Sequence, residues 1–208
     1  MMLSKSCTQF IDELGSNAPV PGGGSASALT GAIGAALGTM VGELSKGKKS
    51  TADHEEEIEA LIGRSRELTE RFKEAVMRDV TAFEPLAAAY KLPSGTAEEK
   101  AERQKAIQEG LLPAAEAPLE LAELCADALE VLSRYSEIGH KLAISDAGTG
   151  AAMLEAALKG ARLNVQINLK SMNDEAEKAR LSERLDKAYS RGVRLAEDTY
   201  DRVWQACL

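Results

Sequence analysis

Three sets of residues in this 208-residue chain have the types and spacing that chemistry needs. The first is one carboxylate. Asp79 falls three residues after Val76 and four before Phe83, so at a helical period it lies on or beside an apolar stripe. A lone carboxylate is costly to bury. Asp79 must therefore pair with a cation, Arg78 or another arginine, or use its position to move protons. The second set is two amides. Gly160, Asn164 and Asn168 follow one another at four-residue spacing, which stacks both amides on one helix face beneath a glycine. That face is otherwise small and apolar, and it suits either the edge of a polar heterocycle or hydrogen bonds between helices. The third set is Lys48 and Lys49, with Lys46, at the end of a long apolar stretch. They can hold an anion at a helix C-terminus or be solvated surface. Gly42 to Lys49 reads G-E-L-S-K-G-K-K. It lacks the final hydroxyl and the preceding strand of a phosphate-binding loop, and that reading is rejected.

The element that must position these groups runs from Pro19 to Leu44. Pro19 and Pro21 fix its approach, Gly22, Gly23 and Gly24 make a turn, and Ser25 reads as the N-cap of a long Ala- and Gly-rich helix. No charge occurs from Ala18 to Gly42. Leu29, Ile33, Leu37, Met40, Val41 and Leu44 gather on one face; Ser27, Gly31, Gly34, Gly38 and Gly42 gather on the other. Interior glycine costs roughly 0.5–1 kcal/mol relative to alanine. The set therefore needs an offset: close approach of a neighbouring helix, or room for a flat ligand or a second subunit.

Around this element the pattern is helical throughout. Ser4 to Leu14 reads as a short helix ended by Gly15, and Asp53 to Tyr90 as one long amphipathic helix bent near Pro85. Thr96 and Glu99 form a capping box for a helix interrupted at Pro113 and Pro118 and closed by Gly139, with His140 in the turn that follows. Ser145 and Asp146 cap a second helix rich in small residues, and Asn173 opens the last one. The expected fold is all-α, an up-and-down bundle of long helices around the Gly/Ala-rich central one, in a single domain over residues 1–208.

Composition narrows the function. Hydrophobic residues are 44% and aromatics 4%, so the core is built from Ala, Leu, Val and Ile. A net charge of −8 supplies no basic face for nucleic acid. Cys7, Cys125 and Cys207 form neither a disulfide framework nor a zinc motif, and His54 and His140 are too few for a metal cluster. A reducing, cytoplasmic location is expected. The uncharged helix is long enough to query as a membrane span, but its Ala and Gly would gain little in lipid.

Three separated segments together resemble the cyclodeaminase/cyclohydrolase family. They are Pro19 to Leu44 with its Pro-Gly-Gly-Gly-Ser turn, Asp79-Val80-Thr81-Ala82-Phe83, and Ser145-Asp146 through Asn164-Val165-Gln166-Ile167-Asn168. This family forms the C-terminal domain of formiminotransferase-cyclodeaminase and also occurs as stand-alone chains. The resemblance spans nearly the whole chain. It implies an all-helical homodimer that binds a tetrahydrofolate derivative near the dimer interface, with Asp79 as the essential acid. The expected activity is formimidoyltetrahydrofolate cyclodeaminase, converting formimino-tetrahydrofolate to 5,10-methenyltetrahydrofolate and ammonia. Methenyltetrahydrofolate cyclohydrolase at the same site is the alternative reaction. A non-catalytic helical dimerisation or folate-binding module is the alternative of another class. On this resemblance Gly22, Gly23, Gly24 and Ser25 offer backbone N–H groups, Asp146, Asn164 and Asn168 read the pterin, and Lys48 or Lys49 takes the glutamate tail. No metal or cofactor beyond the folate substrate is expected, and a separate formiminotransferase chain is a further candidate partner.

Overall fold

A computed structural model describes residues 3, 5–18 and 20–208. Six helices account for most of it: α1 (Cys7–Leu14), α2 (Gly23–Ser45), α3 (Glu55–Tyr90), α4 (Ala97–Ile138), α5 (Ile144–Ser171) and α6 (Glu175–Ala206). Short 3-10 segments, Lys49–His54 and Lys141–Ala143, lead into α3 and α5, and no strand occurs among the described residues. The expected all-helical architecture is the one observed.

Several boundaries differ from the sequence reading, each for a local reason. Ser4 and Pro19 lie outside the described residues; α1 begins at Cys7, where Ser6 and Gln9 form a capping box. The N-cap of α2 is Gly22, and Ser25 sits inside the first turn with its hydroxyl turned to another helix. The 3-10 segment before α5 moves its start to Ile144, so Ser145 and Asp146 lie within the first turn and do not cap it. Asp174, not Asn173, caps α6 by accepting the N–H groups of Ala176 and Glu177. Helix α4 is not interrupted: Pro113 and Pro118 lie inside one continuous helix of 42 residues. Tertiary packing outweighs the roughly 3 kcal/mol that an interior proline costs, and the Ala114 carbonyl four residues before Pro118 finds another donor. The box at Thr96 and Glu99 and the closure by Gly139 are observed as expected.

The packing of α2 explains its glycines. A Cβ added at Gly24 would strike the Asp79 carboxylate, one at Gly31 the Phe72 ring, and one at Gly38 would crowd Leu132 and Ser65. Positions 24, 31 and 38 ascend α2 in steps of seven while 79, 72 and 65 descend α3 in the same steps, which makes the two helices antiparallel. On its other flank α2 meets α5 backbone to backbone. A Cβ at Gly34 would lie 3.0 Å from the Gly150 carbonyl oxygen, and a Cβ at Gly150 3.0 Å from that of Gly34. Helix α4 packs on α3, α5 and α6 and supplies much of the core, including Leu119, Leu129, Leu132 and Tyr135.

The inward face of α2 is therefore its small one. Three of its large apolar side chains look outward, Ile33 at 45% exposure, Met40 at 40% and Leu44 at 46%, whereas Val41 of the same expected face is fully buried and Leu29 packs against the core. Among the described residues α2 is the one helix long and apolar enough to cross a membrane, and half of that window is buried inside the bundle.

Candidate functional site

The heptad seam between α2 and α3 opens, at the N-terminal end of α2, into a cleft of about 200 Å³. Each wall follows from local sequence. The turn before α2 brings Val20, Gly22, Gly23 and Gly24; α3 brings Asp79 and Phe83; α4 brings Ala114 and Pro118; α5 brings Asn164, Ile167 and Asn168. The first N–H groups of α2, on Gly23, Gly24 and Ser25, have no intrahelical acceptor and lie at the positive end of the helix dipole.

Asp79 is half-buried and, among the described residues, carries the only charge on the cleft wall. Ser25 Oγ donates to its Oδ2 at 2.9 Å and lies 3.4 Å from the Val76 carbonyl oxygen. Among the described residues Asp79 has no salt-bridge partner, because the neighbouring Arg78 turns away to Glu120 at 2.7 Å. Burial pushes the Asp79 carboxyl above the usual carboxylate range, and hydrogen bonding from Ser25 pulls the other way without cancelling it. The two readings left open by the sequence are thus separated: the arginine pair is not formed.

The two amides point their nitrogens at the protein. Asn164 Nδ2 donates to Gly160 O at 2.8 Å; Asn168 Nδ2 donates to Ala114 O and Asn164 O, both at 2.8 Å. The Ala114 bond is informative. Pro118 has no N–H to give the carbonyl four residues before it, and Asn168 supplies the missing donor from α5. With their nitrogens occupied, both side chains have carbonyl oxygens available on the cleft wall, as acceptors for N–H donors. Helix-to-helix bonding and ligand recognition are therefore compatible here.

Gly22, Gly23, Gly24, Ser25, Asp79, Asn164 and Asn168 come together. Lys48, Lys49 and Asp146 do not. Helix α2 separates the lysines from the glycine turn by about 30 Å at 1.5 Å per residue, and Asp146 stands about 27 Å before Asn164 on α5. These three residues occupy the opposite end of the bundle, where the His140 N–H donates to Ser45 Oγ at 2.8 Å and its Nδ1 lies 3.1 Å from Ser50 Oγ. The sequence reading missed Phe83 and Ile167. Phe83 looks like core from its periodicity but is 38% exposed on the cleft wall. Its position one helical turn after Asp79 was the signal.

Comparison with known proteins is consistent along the chain. The family model described as Formiminotransferase-cyclodeaminase matches residues 6–187. A methenyltetrahydrofolate cyclohydrolase from Methylorubrum extorquens is 37% identical over 93% of both chains. The formimidoyltransferase-cyclodeaminase of Sus scrofa is 35% identical over 97% of this chain, which spans 37% of that longer protein. A formiminotetrahydrofolate cyclodeaminase from Thermotoga maritima has the same fold, with a TM-score of 0.89, 25% identity and full coverage of both chains.

Proposed function

The chain belongs to the formiminotransferase-cyclodeaminase family, and from that premise we propose that it is a one-carbon folate enzyme, a formimidoyltetrahydrofolate cyclodeaminase, with Asp79 as general acid/base. The observation that carries the assignment is the Asp79 carboxyl: half-buried, unpaired with any cation among the described residues, raised in pKa, and held by Ser25 at the wall of a glycine-lined cleft. In this reaction N10 of the folate attacks the formimino carbon on N5. The formimino group enters as its cation, =NH2+; the N10–C bond forms, N10 gives up its proton, the nitrogen gains that one proton, and the C–N bond to it breaks as ammonia leaves. A single carboxyl titrating nearer neutrality than usual takes the first proton and returns it to the leaving nitrogen. The Asn164 and Asn168 oxygens accept from the pterin's amino and amide edge, the N–H groups of Gly23 and Gly24 face the ligand, and Phe83 lies against its flat ring.

A second reading is cyclohydrolase activity at the same site, favoured by the cyclohydrolase relative that matches over 93% of both chains. There water attacks the one-carbon bridge of methenyltetrahydrofolate, the Asp79 carboxylate accepts one of its protons, and collapse of the resulting hydroxyl to a formyl group breaks one C–N bond as the second proton passes to the freed nitrogen. An absorbance assay of methenyltetrahydrofolate, run from formiminotetrahydrofolate and then in the hydrolytic direction, ranks the two by kcat/KM. Asp79→Asn is expected to lower the favoured reaction by about 10²–10⁴-fold, the usual worth of general acid–base catalysis. The fold should not suffer. A carboxyl raised on folding binds more protons folded than unfolded, so it destabilises the fold as pH climbs from its ordinary value through the raised one. At neutral pH the neutral amide is therefore expected to leave Tm equal or higher. A folded Asp79→Asn protein that kept its activity on both substrates would remove the assignment.

A further inference from the structure

Two walls of the cleft come from different helices, the glycine turn at the start of α2 and the amides of α5. The contact that spaces them lies just behind both. In mid-helix, α2 and α5 meet through glycine on each side, Gly34 against Gly150, backbone on backbone. Nearer the cleft the arrangement changes. A Cβ added at Gly160 would strike Ser27 Oγ and lie 3.3 Å from Ser27 Cβ. The hydroxyl of α2 therefore occupies the space that α5 leaves by carrying glycine there, and one serine side chain against bare backbone sets the separation of the helices at this level.

Each half of this contact is tied to one wall. Ser27 Oγ donates to Gly23 O at 2.7 Å, which holds the hydroxyl in place one turn after the glycine on the cleft wall. On the other side the Gly160 carbonyl accepts Asn164 Nδ2 at 2.8 Å, which fixes the amide whose oxygen is turned to the cleft. The ring closes on itself: a Cβ at Gly23 would lie 3.7 Å from Asn164 Nδ2, an ordinary contact distance. Gly23 and Asn164 line the cleft; Ser27 and Gly160 do not.

We propose that Ser27 and Gly160 are positioning residues, a knob and a hole that set the width of the cleft between the α2 N–H groups and the α5 amide oxygens. The width is that of a flat ring bonded along its edges from both sides. Gly24 and Asp79 meet in the seam of α2 with α3, so the spacer governs binding and leaves the acid where it is. That the ring is a pterin rests on the function proposed above; the knob and hole do not.

Moving the knob from one helix to the other tests this. Gly160→Ala should force α2 and α5 apart at the cleft and raise KM about tenfold, with kcat within about threefold, the pattern of lost uniform binding. Ser27→Gly removes the spacer and should raise KM about threefold, since misplacements of about 1 Å at a site are felt. In Ser27→Gly/Gly160→Ala the new methyl on α5 fills the place of the hydroxyl on α2, and KM should return to within about twofold of wild type. One helix gains a glycine as the other loses one, so their propensities largely offset. A role confined to stability gives no KM that recovers when two harmful changes are combined. Thermal unfolding reads the same pair without substrate. The Tm of the exchanged protein should exceed the sum of the single shifts by several degrees. An unchanged KM in Gly160→Ala, with Ser27 simply turned aside, overturns the positioning role. So does a KM in the exchanged protein equal to the product of the single effects. Additive Tm shifts overturn the knob and hole. If the wild-type protein turns over neither folate, the pterin falls with the folate reading, while the Tm coupling still decides the contact.

Discussion

The seam between α2 and α3 does two different things with one geometry. In its middle, Gly31 opens space for the Phe72 ring, which is fully buried. One heptad toward the N-terminus of α2, Gly24 opens equivalent space for the Asp79 carboxylate, which is only half-buried. The backbone arrangement is the same; the occupant and its access to the cleft differ. In the middle the room is filled by apolar contact and contributes stability. At the end it is filled by a group that resists burial, so part of that stability is given up and a raised pKa results. The proposed catalytic position has a carboxylate where the repeat calls for an apolar side chain, and the seam ends just beyond it.

Alanine at the two glycines should separate these roles, and the larger effect is expected at the cleft. In Gly24→Ala the new Cβ collides with the carboxylate, the free end of a short side chain that can rotate away. Tm should change little, and kcat/KM should fall by about 10²-fold or more as the acid/base group leaves its position. In Gly31→Ala the Cβ meets a ring with no exposed side to turn to. Overpacking of about 1–3 kcal/mol, less the roughly 0.5–1 kcal/mol that alanine gains over glycine in a helix, should lower Tm by several degrees at about 2–4 °C per kcal/mol. The kcat/KM of the folded protein should hold. If Gly24→Ala loses stability and keeps activity, the distinction between the two ends of the seam fails.

Much of this was legible in the sequence, and the parts that were not share a cause. The helical period located Asp79 on or beside the buried stripe, the four-residue spacing put Asn164 and Asn168 on one face, and the expense of the α2 glycines pointed to close approach of a helix or to room for a ligand or second subunit. Each of these depends on residues within one helix. What depends on a second helix was hidden. Ser25 looked like a cap because serine before a helical run usually is one, but its hydroxyl is bound by Asp79, 54 residues away. The prolines in α4 looked like interruptions because their compensation, the Asn168 amide, comes from α5. Lys48, Lys49 and Asp146 were grouped with the cleft by resemblance alone, and the length of α2 and α5 places them at the far end of the same subunit.

The next effect in size tests Ser25 as the residue that positions Asp79. Its hydrogen bond favours the charged carboxylate. Ser25→Ala should therefore raise the Asp79 pKa further and move the acid limb of the kcat/KM profile to higher pH. The shift should reach up to about one unit, since a hydrogen bond to a charged group is worth about 1.5 kcal/mol and one unit is 1.36 kcal/mol. A uniform loss at every pH, with the limb in place, would mean that Ser25 contacts the ligand and does not tune the acid.

The smallest effect is the most local and concerns the opposite wall. Asn168 donates to a carbonyl that Pro118 has left without its helical partner. Asn168→Ala should orphan that carbonyl and cost about 1–2 kcal/mol of stability. Pro118→Ala restores an N–H to the position and closes the helical bond from within α4, so the Asn168 amide becomes dispensable for the fold. In the Pro118→Ala background Asn168→Ala should therefore cost less, with a coupling of about 1 kcal/mol in a double-mutant cycle read by denaturant unfolding. Additive costs would mean that the two residues act independently. Asn168 would then stand on the cleft wall for the ligand alone.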